Sequence, residues 1–154
     1  MHPRAAIIQD FYAKFSQRDA EGMAALYTDD VTFSDPVFPD LRGEAARDMW
    51  RMLCGRATDL VIELAAVEAD DEGGRARWEA RYTFSTTGRP VHNVVDATFE
   101  FRGDQIVTHR DHFDLWRWAR QALGPTGLLL GRSPIVRQKV QATAAEGLAA
   151  FRRR

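Results

Sequence analysis

The chain has 154 residues, 45% hydrophobic and 28% charged, with a formal net charge of −1. That is enough for one domain around one core. It also argues against nucleic acid as a partner, because phosphate binding needs a clustered positive surface and the longest basic run here is the terminal Arg152, Arg153 and Arg154. No stretch approaches the roughly 20 apolar residues that span a bilayer, so no membrane partner is expected. The opening MHPRAAIIQDFY lacks the apolar run of a signal peptide. The single cysteine, Cys54, cannot close an internal disulfide, which points to a reducing cytoplasm. His2, His92, His109 and His112 fall in no metal-binding spacing, and no glycine-rich phosphate loop is present. Neither a metal nor a cofactor is expected.

In chain order, about residues 4–17 read as a helix, because Ile7, Ile8, Phe11, Tyr12 and Phe15 recur at three- and four-residue spacing behind Pro3. Asp19 is placed to cap a second, short helix with Met23, Leu26 and Tyr27 on one side. Val31 to Asp35 alternates like a strand and stops at Pro36 and Pro39. A third helix, about residues 43–54, presents Ala46, Met49, Trp50 and Leu53 on one face. Four strands follow at about 58–69, 74–86, 91–102 and 105–115, separated by turns at Asp71-Glu-Gly-Gly74, Thr87-Gly88-Arg89-Pro90 and Gly103-Asp104. In the second of these, Trp78, Ala80, Tyr82 and Phe84 point one way and Arg77, Glu79, Arg81 and Thr83 the other. Trp116 to Leu123 reads as a short helix, broken by Gly124-Pro125-Thr126-Gly127 ahead of an apolar Leu128-Leu129-Leu130. Ser133 and Pro134 then open a last helix to Phe151. The order predicts an α+β domain in which a curved antiparallel sheet wraps around N-terminal helices. Residues 1–118 form the domain and 119–154 a C-terminal helical extension of it.

Two segments carry a family resemblance. Leu26-Tyr-Thr-Asp-Asp-Val-Thr-Phe-Ser-Asp-Pro-Val37 with Arg42-Gly43 resembles ketosteroid isomerases and their SnoaL-like cyclase relatives, and His109-Arg-Asp-His-Phe-Asp-Leu115 resembles the last strand of limonene-epoxide hydrolases and many SnoaL-like proteins. The resemblance implies the cone-shaped fold of the nuclear transport factor 2-like superfamily. It places Asp35 where the isomerase keeps its carboxylate proton shuttle. The isomerase's first-helix tyrosine falls at Phe11, which cannot donate a hydrogen bond, and Tyr12 is turned about 100° away. The nearest candidate for the isomerase's second donor, Asp96, faces away from Phe99 and Phe101 by strand alternation. Asp111 matches one aspartate of the epoxide hydrolase. The other Arg and Asp of that site fall at Trp78 and Ala80, which makes that chemistry the less expected one.

On the last strand, two-residue periodicity puts His109, Asp111 and Phe113 on one face. A carboxylate beside an imidazole orients the ring and favours its charged form, so His109 and Asp111 are expected to act as an acid/base pair with Asp35 approaching from the other side. The pocket is expected to be lined by Phe11, Tyr27, Trp50 and Trp78 from one side. Tyr82, Asn93, Phe99 and Phe113 complete it. The expected function is cofactor-independent acid/base catalysis of isomerase, cyclase or dehydratase type on a small, mostly apolar carbonyl-bearing molecule. The alternative is a non-catalytic small-ligand-binding or dimerisation module of the same fold. A homodimer through the convex sheet face, the tail or both is expected from the exposed leucines.

Overall fold

A computed structural model describes residues 1–130 and 132–154. Helix α1, Pro3–Ser16, starts with Pro3 in its first turn while the His2 ring accepts a hydrogen bond from the Arg4 amide at 3.1 Å. Helix α2, Ala20–Ala25, is capped by Asp19, which accepts from the Gly22 amide at 2.9 Å. Strand β1, Tyr27–Ser34, begins earlier than the alternation indicates, so Tyr27 belongs to the strand and not to the helix before it. A two-residue strand β2, Leu41–Arg42, is too short to read from sequence. Gly43 then turns the chain at a φ of 55°, a left-handed value suited to glycine, into helix α3, Glu44–Arg56.

The long strands are β3, Val61–Ala69; β4, Gly74–Phe84; β5, Arg89–Arg102; and β6, Gln105–His112. They form one open six-stranded sheet in the order β2-β1-β6-β5-β4-β3. The sheet is antiparallel apart from one pair, β1 running parallel to β6. Alternation holds along β4 and β5: Ala76, Trp78, Ala80, Val91, Val95, Ala97 and Phe99 are buried on the inner face. The outer face carries cross-strand ion pairs such as Arg77–Asp96 at 2.9 Å and Arg110–Glu100 at 3.4 Å. In β6 the alternation breaks. Phe101 pairs with Ile106 but Glu100 with Thr108, so Val107 is an extra residue, and the bulge lets both Ile106 and His109 face inward.

Strand β6 ends at His112, short of the expected 115, because Asp114 caps helix α4, Leu115–Leu123, by accepting from the Arg117 amide at 3.1 Å. The expected start of the C-terminal extension at residue 119 therefore falls inside α4. The break at Gly124 is present, and it is followed at once by a further short helix, α5, Pro125–Leu130, which carries the apolar Leu128-Leu129-Leu130. Helix α6, Pro134–Arg152, is capped by Ser133 and returns along α3. The core lies between the inner sheet face, α1 and α3, with Phe11, Tyr12, Phe15, Phe33 and Trp50 at its centre.

Candidate functional site

His109 sits opposite Phe99 on the neighbouring strand, and the two rings stack with centroids 4.4 Å apart. Trp50 lies nearly parallel to the imidazole at 6.1 Å, while Phe33 and Phe11 meet it edge-on at 5.0 and 5.3 Å. The ring has no exposed surface, so both of its nitrogens must find partners inside. Nδ1 is 2.8 Å from the Tyr27 hydroxyl, and Nε2 is 3.0 Å from Asp111 Oδ1. Trp50 Nε1 donates to the Tyr27 oxygen at 2.8 Å.

Donor chemistry settles the direction of this chain. An indole N–H only donates, so the Tyr27 oxygen accepts from it and directs its own proton to His109 Nδ1. Nε2 then carries the imidazole proton and donates it to Asp111. Burial, partly offset by the Trp50 hydrogen bond, holds the Tyr27 phenol well above its ordinary pKa, which keeps that proton in place. Tyr27 and Asp111 thus occupy both imidazole nitrogens and fix the orientation of the ring. Asp111 is 4% exposed and lies opposite Ala97 on the neighbouring strand.

Asp35 follows the end of β1, just before Pro36. Its Oδ1 accepts from the Val37 and Phe38 amides at 2.7 and 2.6 Å, and its own amide donates to the Phe38 carbonyl at 2.9 Å. This is the turn role that any Asp before Pro can take. The carboxyl is nevertheless half-buried. Burial pushes its pKa up to about 7, the Phe38 amide opposes the rise, and the negative charge of Asp111 adds to it. Its Oδ2 takes no hydrogen bond among the described residues.

Helical geometry turns Tyr12 away from Phe11, yet the structure brings both into the site. The Tyr12 ring packs on Trp78 at 5.5 Å and Phe99 at 6.4 Å, while Phe11 on the adjacent position turns to Tyr27, Trp50 and His109. The Tyr12 hydroxyl and Trp78 Nε1 are buried polar atoms without a hydrogen-bond partner among the described residues. Burial and then the Asp111 charge drive the Tyr12 phenol well above its ordinary pKa. Tyr82 accepts from Trp118 Nε1 at 2.8 Å, and its phenol is raised by burial and by the charge of Asp35. Two carboxyl groups and three phenols, Tyr12, Tyr27 and Tyr82, therefore share one electrostatic neighbourhood.

The expected lining residues divide in two. Phe11, Tyr27, Trp50, Trp78 and Phe99 are buried, and four of them pack on His109 as a solid aromatic wall. Tyr82, Asn93 and Phe113 are half-buried, like Asp35, and mark the end at which this interior meets solvent. Two shallow surface depressions of about 350 and 340 Å³ lie elsewhere, one on the outer sheet face by Arg77 and Asp96 and one by Arg18, Glu21 and Arg51. Trp78 and Ala80 point inward and Arg77 outward, so β4 has no Arg-x-Asp pair on its inner face. His112 and Asp114 are exposed. Among the described residues no group of three or more His, Cys, Asp or Glu is placed to hold a metal ion.

The model of the SnoaL-like domain matches residues 8–109. Several solved structures share the fold. An LEH-like epoxide hydrolase of M. tuberculosis is 19% identical, with 83% of this chain and 93% of that chain covered at a TM-score of 0.66. A protein described as a polyketide cyclase from Xanthomonas campestris pv. campestris is 23% identical, covering 77% and 96% at 0.62. A protein with a ketosteroid isomerase-like fold from Catenulispora acidiphila, in complex with trimethylamine, is 13% identical, covering 77% and 93% at 0.68. No curated protein sequence matches this chain.

Proposed function

Since the chain belongs to the SnoaL-like domain family, we propose that it is a cofactor-independent acid/base enzyme acting on a small, mostly apolar molecule that bears a carbonyl. The observation that carries this reading is Asp35, a half-buried carboxyl raised to about 7 beside a second buried carboxylate. A proton carrier works best with a pKa near the working pH. Asp35 Oδ2 takes a proton from the carbon next to the carbonyl, and the electron pair moves onto the carbonyl oxygen. The Tyr12 hydroxyl, buried without a partner among the described residues, donates to that oxygen. Return of the proton to another carbon gives an isomerase. Loss of water gives a dehydratase, and attack of the enolate carbon on a second carbonyl gives a cyclase. Asp111 lies next to this path, and His109 positions it through the Tyr27 relay.

The reading predicts that in heavy water the protein speeds deuterium uptake next to the carbonyl of some member of a panel of cyclic ketones and enones. It further predicts that Asp35→Asn removes the effect. Uptake no faster than buffer across the panel, with the same compounds bound, would favour the second reading, a non-catalytic small-ligand module. The closed aromatic wall around His109 is what supports that alternative.

The working form in this reading is a cytoplasmic homodimer joined through the outer sheet face, where Arg75, Arg77, Asp96 and Glu100 are exposed. Sedimentation at micromolar concentration should give twice the 17.4 kDa of the chain. A single species at the chain mass would remove the dimer from the proposal.

A further inference from the structure

The charge of the chain is unevenly placed. From Leu115 to Ala145 there are five cations (Arg117, Arg120, Arg132, Arg137 and Lys139) and no carboxylate, while the remainder has six more acidic than basic residues. This basic segment also holds four strongly exposed aliphatic side chains: Leu129 is 81% exposed, Ile135 75%, Leu128 54% and Leu130 52%. Two of these cations, Arg120 and Arg132, meet the leucine segment through Trp116. The Trp116 ring has the Arg120 guanidinium at 4.4 Å and that of Arg132 at 4.1 Å, and its indole N–H donates to the Leu128 carbonyl at 3.3 Å. Helix α5 is held against α4 at Gly127, where any Cβ would collide with the Ala119 carbonyl. The leucines are therefore presented outward from a fixed base.

We propose that this face docks on an anionic lipid surface, with the leucines entering the headgroup region and the arginines and Lys139 meeting lipid phosphates. The two halves of the patch match the two requirements of reversible interfacial binding: protruding apolar groups and adjacent cations. Neither half alone suits another partner as well. An isologous contact between two copies would set Arg120 and Arg132 against their own counterparts. A nucleic acid would gain nothing from four exposed aliphatic side chains. No helix among the described residues is long and apolar enough to cross a membrane, so the contact is peripheral. The inner side of α4 places Trp118 on Tyr82, so the half-buried end of the interior adjoins the docking face. The inference is independent of the proposed chemistry.

The test is co-sedimentation with vesicles of phosphatidylcholine containing about one third phosphatidylglycerol, against vesicles of phosphatidylcholine alone. Two variants are used, Leu128→Ser with Leu129→Ser, and Arg120→Glu with Arg132→Glu. All four side chains are on the surface, and far-ultraviolet circular dichroism checks that each variant folds. The expected result is binding to the anionic vesicles at least about tenfold stronger than to the neutral ones, reduced about tenfold or more in each variant. Equal binding to both vesicle types, no binding, or full binding by either variant would overturn the proposal. A change of sedimentation mass in the leucine variant without lipid would assign the face to a second copy and overturn it equally.

Discussion

Replacing Asp35 by Asn is expected to lower proton-transfer activity by about 10²–10⁴-fold and, at the same time, to stabilise the fold above neutral pH. The two effects share one cause. Asp35 accepts both turn amides through Oδ1, and an Asn amide oxygen can accept them as well, so the turn survives the change. What is lost is a carboxylate that burial and the nearby Asp111 hold at a pKa of about 7. In the unfolded chain the same group titrates near 3.9. Below about pH 4 it is protonated in both states and makes no difference between them. Between about 4 and 7 the folded state keeps a proton that the unfolded state has released, so stability falls as pH rises, and above about 7 the full penalty applies. Asn escapes that penalty.

Urea denaturation should therefore find wild type and Asp35→Asn equally stable near pH 4 and the variant more stable by about 1–3 kcal/mol at pH 8. The figure allows for partial exposure of the group. A wild type whose stability relative to the variant does not change with pH would show that Asp35 titrates normally and would take away its role as a proton carrier near neutrality. An active Asp35→Asn enzyme with the expected pH behaviour would leave the electrostatics intact and move the proton-transfer step to Asp111.

What sequence could and could not show follows from which contacts are local. The inner faces of β4 and β5 are legible because one face is buried and the other wet, so Trp78, Ala80 and Phe99 fall inward and Arg77 and Asp96 outward by alternation alone. The same rule brings His109 beside Asp111, because both lie after the Val107 bulge. It cannot anticipate the bulge, which admits Ile106 to the core. The caps at Asp19 and Ser133 are legible from residue type. Tyr12 escapes sequence reasoning for a definite reason. A helical wheel gives the angle between Phe11 and Tyr12, but not that α1 is enclosed on both sides. Phe11 faces Trp50 and Tyr27, and Tyr12 faces Trp78. The Tyr27–His109 hydrogen bond joins residues 82 positions apart, and no local pattern announces it. Family resemblance leads to Asp35 and Asp111, but their unequal surroundings are a property of the packed structure.

Tyr27→Phe is expected to cost the most stability of any single-atom deletion in the site. The hydroxyl is the middle of the Trp50–Tyr27–His109–Asp111 chain, and its removal leaves two buried groups without partners: the Trp50 indole N–H and His109 Nδ1. An orphaned buried donor or acceptor costs about 1–3 kcal/mol, so the pair should lose about 2–5 kcal/mol. That is a large part of the roughly 5–15 kcal/mol that holds a domain of this size. The deletion opens almost no cavity, because the Tyr27 ring still packs on Phe11 and His109. The lost hydrogen bonds therefore set the cost. Urea unfolding measures it, and an unchanged slope with a lower midpoint would show that stability alone has moved. Nitrogen NMR of the His109 ring reads the mechanism directly. In wild type at neutral pH, Nε2 should carry the proton and Nδ1 should be bare. In Tyr27→Phe, Nδ1 has lost the donor that kept it so, and the two-tautomer balance should shift. A loss below about 1 kcal/mol together with an unaltered tautomer would mean that the relay does not hold the imidazole. Asp111 would then be oriented without the imidazole, and His109 would have no positioning role.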